Sequence, residues 1–120
     1  MTLDPHETEP RAALTPAAFQ ILVSLADADR HGYAMMQEIQ DRTSGAVNLS
    51  PGTLYGTLKK LLAQGLVTET AERPDPALDD ERRRYYRLTE HGRRAAAGEA
   101  RRLATIVDDA WAKRLLPGTN

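Results

Sequence analysis

The chain contains no cysteine, so neither a disulfide framework nor a thiolate metal site can form. Its three histidines lie far apart in sequence and lack the spacing of a metal-binding motif. No phosphate-binding loop occurs, no carboxylates are paired in a recognisable frame, and no histidine has an evident partner. These absences argue against an enzyme, and they predict neither a cofactor nor a metal.

Long apolar runs are also missing, because no stretch of about 18 apolar residues occurs anywhere in the chain. The first segment, MTLDPHETEPRAAL, is acidic and broken by prolines where a signal peptide would be basic and then apolar. We therefore expect a cytoplasmic protein without a membrane partner. The length of 120 residues suits one domain with a modest core.

A strong excess of charge of one sign is absent as well, since the formal net charge is −1. The charges are nevertheless distributed unevenly. Residues 50–65 carry two bases and no acid, and residues 82–94 carry six bases and one acid. Because salt screens charges beyond roughly 10 Å, such local blocks can bind phosphate even in a slightly acidic protein.

Helical periodicity predicts three helices in the first half of the chain. Thr15 and Pro16 form an N-cap and first-turn pair, and apolar residues follow at helical spacing to about residue 27. Good helix formers then lead to Gly45, a C-terminal cap candidate. The third helix begins after Ser50 and ends at Gly65. Residues 1–13, which are polar and contain two prolines, are expected to form a flexible arm.

The second half predicts a hairpin and a long helix. The β-rich runs LVTETAE and RRYYRL flank RPDPALDDER, whose prolines and aspartates favour a loop. Alternation along the second strand places Tyr86 and Leu88 in the core. The last helix is capped by Thr89 and is expected to continue to Pro117, about 27 residues or about 40 Å.

Three helices, a hairpin and a long helix follow one another in the order of a winged helix-turn-helix protein. We therefore predict a mainly α (α+β) fold. Residues 14–88 would form the winged helix-turn-helix DNA-binding domain, and residues 89–116 the C-terminal dimerisation helix.

The third helix has two unlike faces. At 100° per residue its leucines share a narrow apolar sector, whereas Gly52, Thr53, Gly56, Lys59 and Lys60 lie on the opposite side. Glycines allow a close approach of the backbone, the helix N-terminus attracts phosphate, and lysines neutralise it. This pattern indicates a helix that reads DNA. The alternative is an ordinary solvated face whose serine is only a cap.

The second basic block includes the expected wing. Arg82 and Arg83 would lie at its mouth and touch the DNA backbone beside the groove. In the alternative interpretation, the strand is simply solvated, and its arginines pair with the acids of the neighbouring segment DPALDDE.

The last helix carries an apolar stripe at spacing i, i+3, i+4, i+7 and i+8: Leu103, Ile106, Val107, Ala110 and Trp111. A helix this long extends past a small core, so the stripe needs another surface. A second copy of the chain is the simplest supplier, and its two-fold symmetry would match a two-fold operator. The alternative is packing on the first helix of the same chain. The tryptophan is either interface core or a candidate contact for a small aromatic effector.

Three segments together resemble the PadR family of transcriptional regulators: HGYAMMQEI, LSPGTLYGTLKKLLAQGLV and RRRYYRLTEHGR, in the family's order and approximate spacing. The short C-terminal extension is similar to that of the smaller subgroup, which has a single dimerisation helix. The resemblance implies a bacterial repressor that binds DNA as a homodimer and leaves its operator when a small molecule binds. The C-terminal helix would join the dimer with help from the first helix, where we expect Ile21 to contribute.

The DNA contacts implied by the resemblance, with Lys60 added from the helix face, are Tyr33, Ser50, Pro51, Gly52, Thr53, Tyr55, Lys59, Lys60, Arg82 and Arg83. Two positions depart from the family pattern. Gly56 stands where family members often have proline. The tryptophan that stacks drugs in multidrug-sensing members corresponds by position to Leu103, so that role does not pass to Trp111.

A second hypothesis belongs to a different class of function. A winged-helix protein-interaction module without DNA binding would be consistent with the net negative charge and the acidic wing tip. Such a module would show no salt-dependent binding to duplex DNA.

Overall fold

The computed structural model describes residues 14–70 and 84–117. Its elements follow in the order α1 (Pro16–Ser24), β1 (Arg30–His31), α2 (Gly32–Arg42), α3 (Pro51–Ala63), β2 (Val67–Glu69), β3 (Tyr85–Leu88) and α4 (Glu90–Ala112). This mainly helical architecture with a small antiparallel sheet confirms the predicted winged helix-turn-helix with a long C-terminal helix. The expected arm 1–13 and the wing residues Arg82 and Arg83 lie outside the described residues.

Three of the helices begin at the predicted capping residues. The side-chain hydroxyls of Thr15, Ser50 and Thr89 each accept the backbone N–H three residues ahead, at 3.1, 3.2 and 2.9 Å. Each bond satisfies one of the N–H groups that a helix leaves unpaired at its start, which typically stabilises it by about 1 kcal/mol. Because a cap involves only neighbouring residues, it could be predicted from the sequence.

Helix α4 is shorter than predicted. It has 23 residues and ends at Ala112 instead of continuing to Pro117. Arg114 adopts a φ of 61°, and the N–H of Leu115 returns to the carbonyl oxygen of Ala110 at 2.9 Å. This left-handed arginine closes the helix at a position where glycine is usual. Because neither glycine nor proline stands there, the sequence did not indicate the end of the helix. Among the described residues, no helix is both long and apolar enough to span a membrane.

The sheet has the strand order β1-β3-β2 and is antiparallel throughout. In the predicted hairpin, Val67 pairs with Leu88 and Glu69 pairs with Tyr86. The additional strand β1 was not predicted, because two residues are too few to show an alternating pattern. It places His31, the residue before α2, beside the wing strand β3.

The core lies between α1, α2, α3, the sheet and the first half of α4. Its side chains come from every one of these elements, and the buried apolar residues are Ala18, Ile21, Leu22, Leu25, Met35, Ile39, Leu54, Leu58, Leu61, Leu66, Val67, Tyr86, Leu88 and Ala95. The predicted burial of Tyr86 and Leu88 is therefore confirmed. No single helix would be stable alone, so the shared core holds α3 in place.

Candidate nucleic-acid interface

Helix α3 presents the two faces that its sequence predicts. Leu54, Leu58 and Leu61 are at most 1% exposed and anchor the helix in the core. Exposed residues cover the opposite side: Pro51, Gly52, Thr53, Tyr55, Gly56, Lys59 and Lys60. The reading-helix candidates from the sequence therefore lie together on one solvent-facing surface, which we call the α3 polar face.

The first turn of α3 is open to an incoming anion. Ser50 Oγ accepts the N–H of Thr53 and donates to Thr53 Oγ1 at 3.1 Å, so the cap hydroxyl is already held in place. Pro51 has no N–H to offer. A Cβ built on Gly52 would meet no heavy atom within 4 Å. The positive end of the helix dipole therefore faces solvent without steric cover.

Gly56 also faces open space, since a Cβ there would meet nothing within 4 Å. Glycine inside a helix costs about 1 kcal/mol relative to alanine. Packing within the described part of this chain does not account for that cost. Close approach of an external backbone or base edge remains a physical reason for glycine at this position.

The two lysines of the α3 polar face have no carboxylate partner in the part of the chain that the structure describes. Lys59 and Lys60 are exposed, and neither forms an ion pair with any described residue. Residues 42–68 contain no acid at all, so local neutralisation within this segment is impossible. Their charges are therefore available to phosphate.

The start of α2 lies beside the sheet and exposes an aromatic side chain. Tyr33 is 66% exposed, as a contact with the sugar-phosphate backbone of DNA would require. His31 caps the helix, since its Nδ1 accepts the N–H of Ala34 at 3.0 Å. The imidazole ring also packs edge-on against Tyr85 of β3, with the ring centroids 5.2 Å apart. The sequence analysis missed this cap because histidine is not among the preferred capping residues.

Tyr55 connects α3 to the start of α2. Its phenol lies so close to Gly32 that a Cβ at the glycine would be 2.7 Å from Tyr55 Cζ. The tyrosine is still 37% exposed. Burial raises the pKa of Tyr86 on β3, and the negative charge of Glu69 raises it further. The sequence analysis missed this junction because its members are distant in the chain.

The described part of the wing carries arginines that are already paired. Arg84 forms an ion pair with Glu69 at 3.2 Å, and Arg87 binds Asp29 through two nitrogens at 2.8 and 3.1 Å. The described acids Glu69 and Asp29 therefore already pair with these two arginines, whereas pairing with DPALDDE, which lies outside the described residues, stays a prediction. Arg82 and Arg83 lie outside the described residues, so their predicted DNA contact stays a prediction.

The described residues of the chain bury the predicted stripe on α4 only in part. Ile106 and Val107 are 49% and 45% exposed, while Leu103, Ala110 and Trp111 are half-buried. The alternative of packing on α1 therefore fails for the two central residues. Two further exposed leucines, at 73% and 39%, extend this apolar surface past the helix end: Leu115 and Leu116.

The structure corrects the prediction that Ile21 of the first helix contributes to dimerisation. Its side chain is 0% exposed and lies in the core of the single chain. Helical spacing puts it in the same sector as Leu22 and Leu25, both of which are also buried. A partner chain therefore cannot reach it.

An ion pair within α4 joins a buried carboxylate to an exposed arginine. Glu99 is 7% exposed, and its Oε1 accepts a hydrogen bond from Arg102 Nε at 3.0 Å. Arg102 lowers the pKa of this carboxyl group, and a hydrogen bond from the backbone of Leu14 lowers it further. The sequence analysis missed this pair, since charges at i and i+3 on a helix are usually exposed.

Comparison with known proteins places this arrangement in a family. The sequence model of the Transcriptional regulator PadR-like family matches residues 21–98. The transcriptional regulator Rv3488 of Mycobacterium tuberculosis is 37% identical over 87 residues, which are 72% of this chain and 75% of that protein. A transcriptional regulator from Clostridium thermocellum has a similar structure, with a TM-score of 0.66 at 22% identity over 80% of this chain and 89% of that one.

Bacillus subtilis PadR, whose structure was solved in complex with operator DNA, aligns with a TM-score of 0.58 at 20% identity, over 69% of this chain and 45% of that one. At this identity the likeness concerns the fold. The family match and the Mycobacterium relative go further, because each covers well over half of the chain. This chain therefore belongs to the PadR-like family of transcriptional regulators, as its three sequence segments predicted.

Proposed function

We propose that this regulator binds a specific two-fold operator as a homodimer, represses transcription there, and is released by a small aromatic effector. The observation that carries the proposal is the α3 polar face. It combines an uncovered helix N-terminus with two lysines that lack carboxylate partners among the described residues. No acid occurs in residues 42–68 to repel a phosphate.

Helix α3 would enter the major groove, with its first turn against a phosphate or a base edge. Ser50, Pro51, Gly52 and Thr53 supply that turn. Further phosphate contacts would come from the lysines later in the helix and from residues that flank it on α2 and the wing: Tyr33, Lys59, Lys60, Arg82 and Arg83. The operator complex of the structurally similar Bacillus subtilis PadR supports this use of the fold.

The homodimer would form through the stripe on α4. A second copy is the occupant whose own stripe matches in length and chemistry. Completing the burial of each half-exposed aliphatic side chain contributes about 1 kcal/mol. Ile106 and Val107 are the most exposed members. The resulting two-fold axis would set two α3 helices about one turn of DNA apart, roughly 34–36 Å.

The effector would bind beside the same stripe. Trp111 is half-buried at the edge of the apolar surface, where a flat aromatic molecule could stack on its indole. A ligand at the dimer interface changes DNA affinity only if the dimer has two conformations that differ in the distance between its α3 helices, and the ligand binds one of them more tightly. The operator should then weaken effector binding by the same factor.

The test is a fluorescence anisotropy titration of the protein against duplex from the region upstream of its own gene. The measurement is repeated at several salt concentrations and with a scrambled duplex of the same length. We expect tight binding to the upstream duplex, weak binding to the scrambled one, and an affinity that falls steeply with salt. A folded dimer that binds neither duplex would refute the proposal and favour the protein-interaction module.

A further inference from the structure

The four tyrosines of the chain gather around the first turn of α2. Tyr33 lies in this turn, and Tyr85 and Tyr86 face its entry from β3 through the register of β1. Tyr55 reaches it from α3 and places its phenol on Gly32. This arrangement joins the two helices of the helix-turn-helix at their N-terminal ends.

The contact leaves no room for a side chain at the glycine. A Cβ on Gly32 would lie 2.3 Å from Oη, 2.7 Å from Cζ and 2.9 Å from Cε1 of Tyr55. Real Cβ atoms essentially never approach a heavy atom to less than 3.0 Å, so even alanine would force the ring or the helix to move. Gly32 is buried and begins a helix, so its role here is close approach.

The direction of the phenol distinguishes this role from a direct DNA contact. The hydroxyl is the atom of Tyr55 nearest to a Cβ built on Gly32. The phenol end of Tyr55 therefore points toward the start of α2. Its ring lies against the start of α2, which also carries the exposed Tyr33.

We propose that Gly32 and Tyr55 are positioning residues for DNA binding, in which the ring seated on the glycine sets the distance between the start of α2 and the start of α3. The inference rests on the proposed function, because both helix starts must meet one operator. A shift of either start would remove its phosphate contact without deleting any group that touches DNA.

The experiment is a double-mutant cycle on the full chain, with operator affinity measured well below the thermal midpoint of each variant. Gly32→Ala should weaken operator binding by at least about tenfold and lower the salt slope, because a phosphate contact is lost. Tyr55→Leu should also weaken binding, but Gly32→Ala in that background should cost nothing further. Tyr55→Phe keeps the spacer ring and should bind within about twofold of wild type.

Gly98→Ala is the matched control, because this glycine is also helical but a Cβ there meets nothing within 4 Å. It should leave operator affinity unchanged. A Gly32→Ala variant that binds like wild type would overturn the proposal, as would additive losses in the double variant. A loss in Tyr55→Phe as large as in Tyr55→Leu would also overturn it.

The double variant keeps the test decisive even if Gly32→Ala fails to fold. If Gly32→Ala alone does not fold, the Gly32→Ala/Tyr55→Leu variant should fold and bind like Tyr55→Leu, and its failure to fold would overturn the proposal. Wild-type protein that binds no duplex would refute the proposed function together with the positioning role. Wild-type binding with additive losses would refute the positioning role alone.

Discussion

Substitution of Lys59 by alanine should reduce the dependence of operator affinity on salt. The lysine is exposed and forms no ion pair with a described residue, so its charge is not already neutralised within that part of the chain. Each phosphate that a cation neutralises releases condensed counterions, which lowers the slope of log affinity against log salt by about 0.9. The substitution removes no apolar surface from the core, so folding should be preserved.

The size of the expected change in the salt slope follows from the symmetry of the proposed dimer. Each dimer carries Lys59 twice, so the slope should become less negative by about 1.8. Between about 50 and 200 mM salt, this difference corresponds to an affinity loss about 12-fold smaller in the variant than in wild type. At the low-salt end, the variant should already bind more weakly than wild type.

The assay is fluorescence anisotropy with labelled operator duplex at four or more salt concentrations. Lys113→Ala is the matched control, because this lysine is also exposed and unpaired among the described residues but lies at the far end of α4. It changes the net charge equally and should leave the slope unchanged. Equal slopes for wild type and Lys59→Ala, or an equal reduction in both variants, would refute the assignment of α3 as the reading helix.

Three further predictions concern the core, the dimer and pH. Leu58→Ala should lower the free energy of unfolding in urea by about 2–5 kcal/mol, because Leu58 is 1% exposed in the core; a loss below 1 kcal/mol would contradict this packing. Ile106→Asp should convert the dimer to monomer in sedimentation velocity, whereas Thr105→Asp, on the helix face opposite the stripe, should not. If both variants remained dimers, the stripe would not be the dimer interface. The native pKa of Glu99 lies below its ordinary value of 4.5, so the stability that its partners contribute is present above that pH and is lost as pH falls through the lowered pKa. Thermal midpoints of Glu99→Gln should therefore depend less on pH in this acidic range than those of wild type.

The candidate site could be predicted where neighbours along the chain determine it. The capping hydroxyls of Thr15, Ser50 and Thr89 need only an N–H three residues ahead, and all three caps are present. The leucines and the polar residues of α3 separate because a helix places residues at fixed angles, whatever surrounds it. Helix α3 therefore presents the predicted polar face.

Features that depend on distant parts of the chain could not be predicted in this way. Arg87 is neutralised by Asp29, which lies 58 positions away, and Tyr55 meets Gly32 across the helix-turn-helix junction. The apolar character of Ile21 is the same in a core as in a dimer interface, so only packing shows that it belongs to the core.

The sequence by itself determined the order of the four helices and the two hairpin strands, the capped starts of three helices and the polar face of α3, because these follow from backbone geometry and from hydrogen bonds between near neighbours. Tertiary structure alone decided which lysine and arginine side chains lack an acidic partner among the described residues, which apolar residues stay exposed and how the starts of α2 and α3 are spaced. Those properties depend on which distant groups come within a few ångströms of each other. Periodicity and local capping carry no information about such distances.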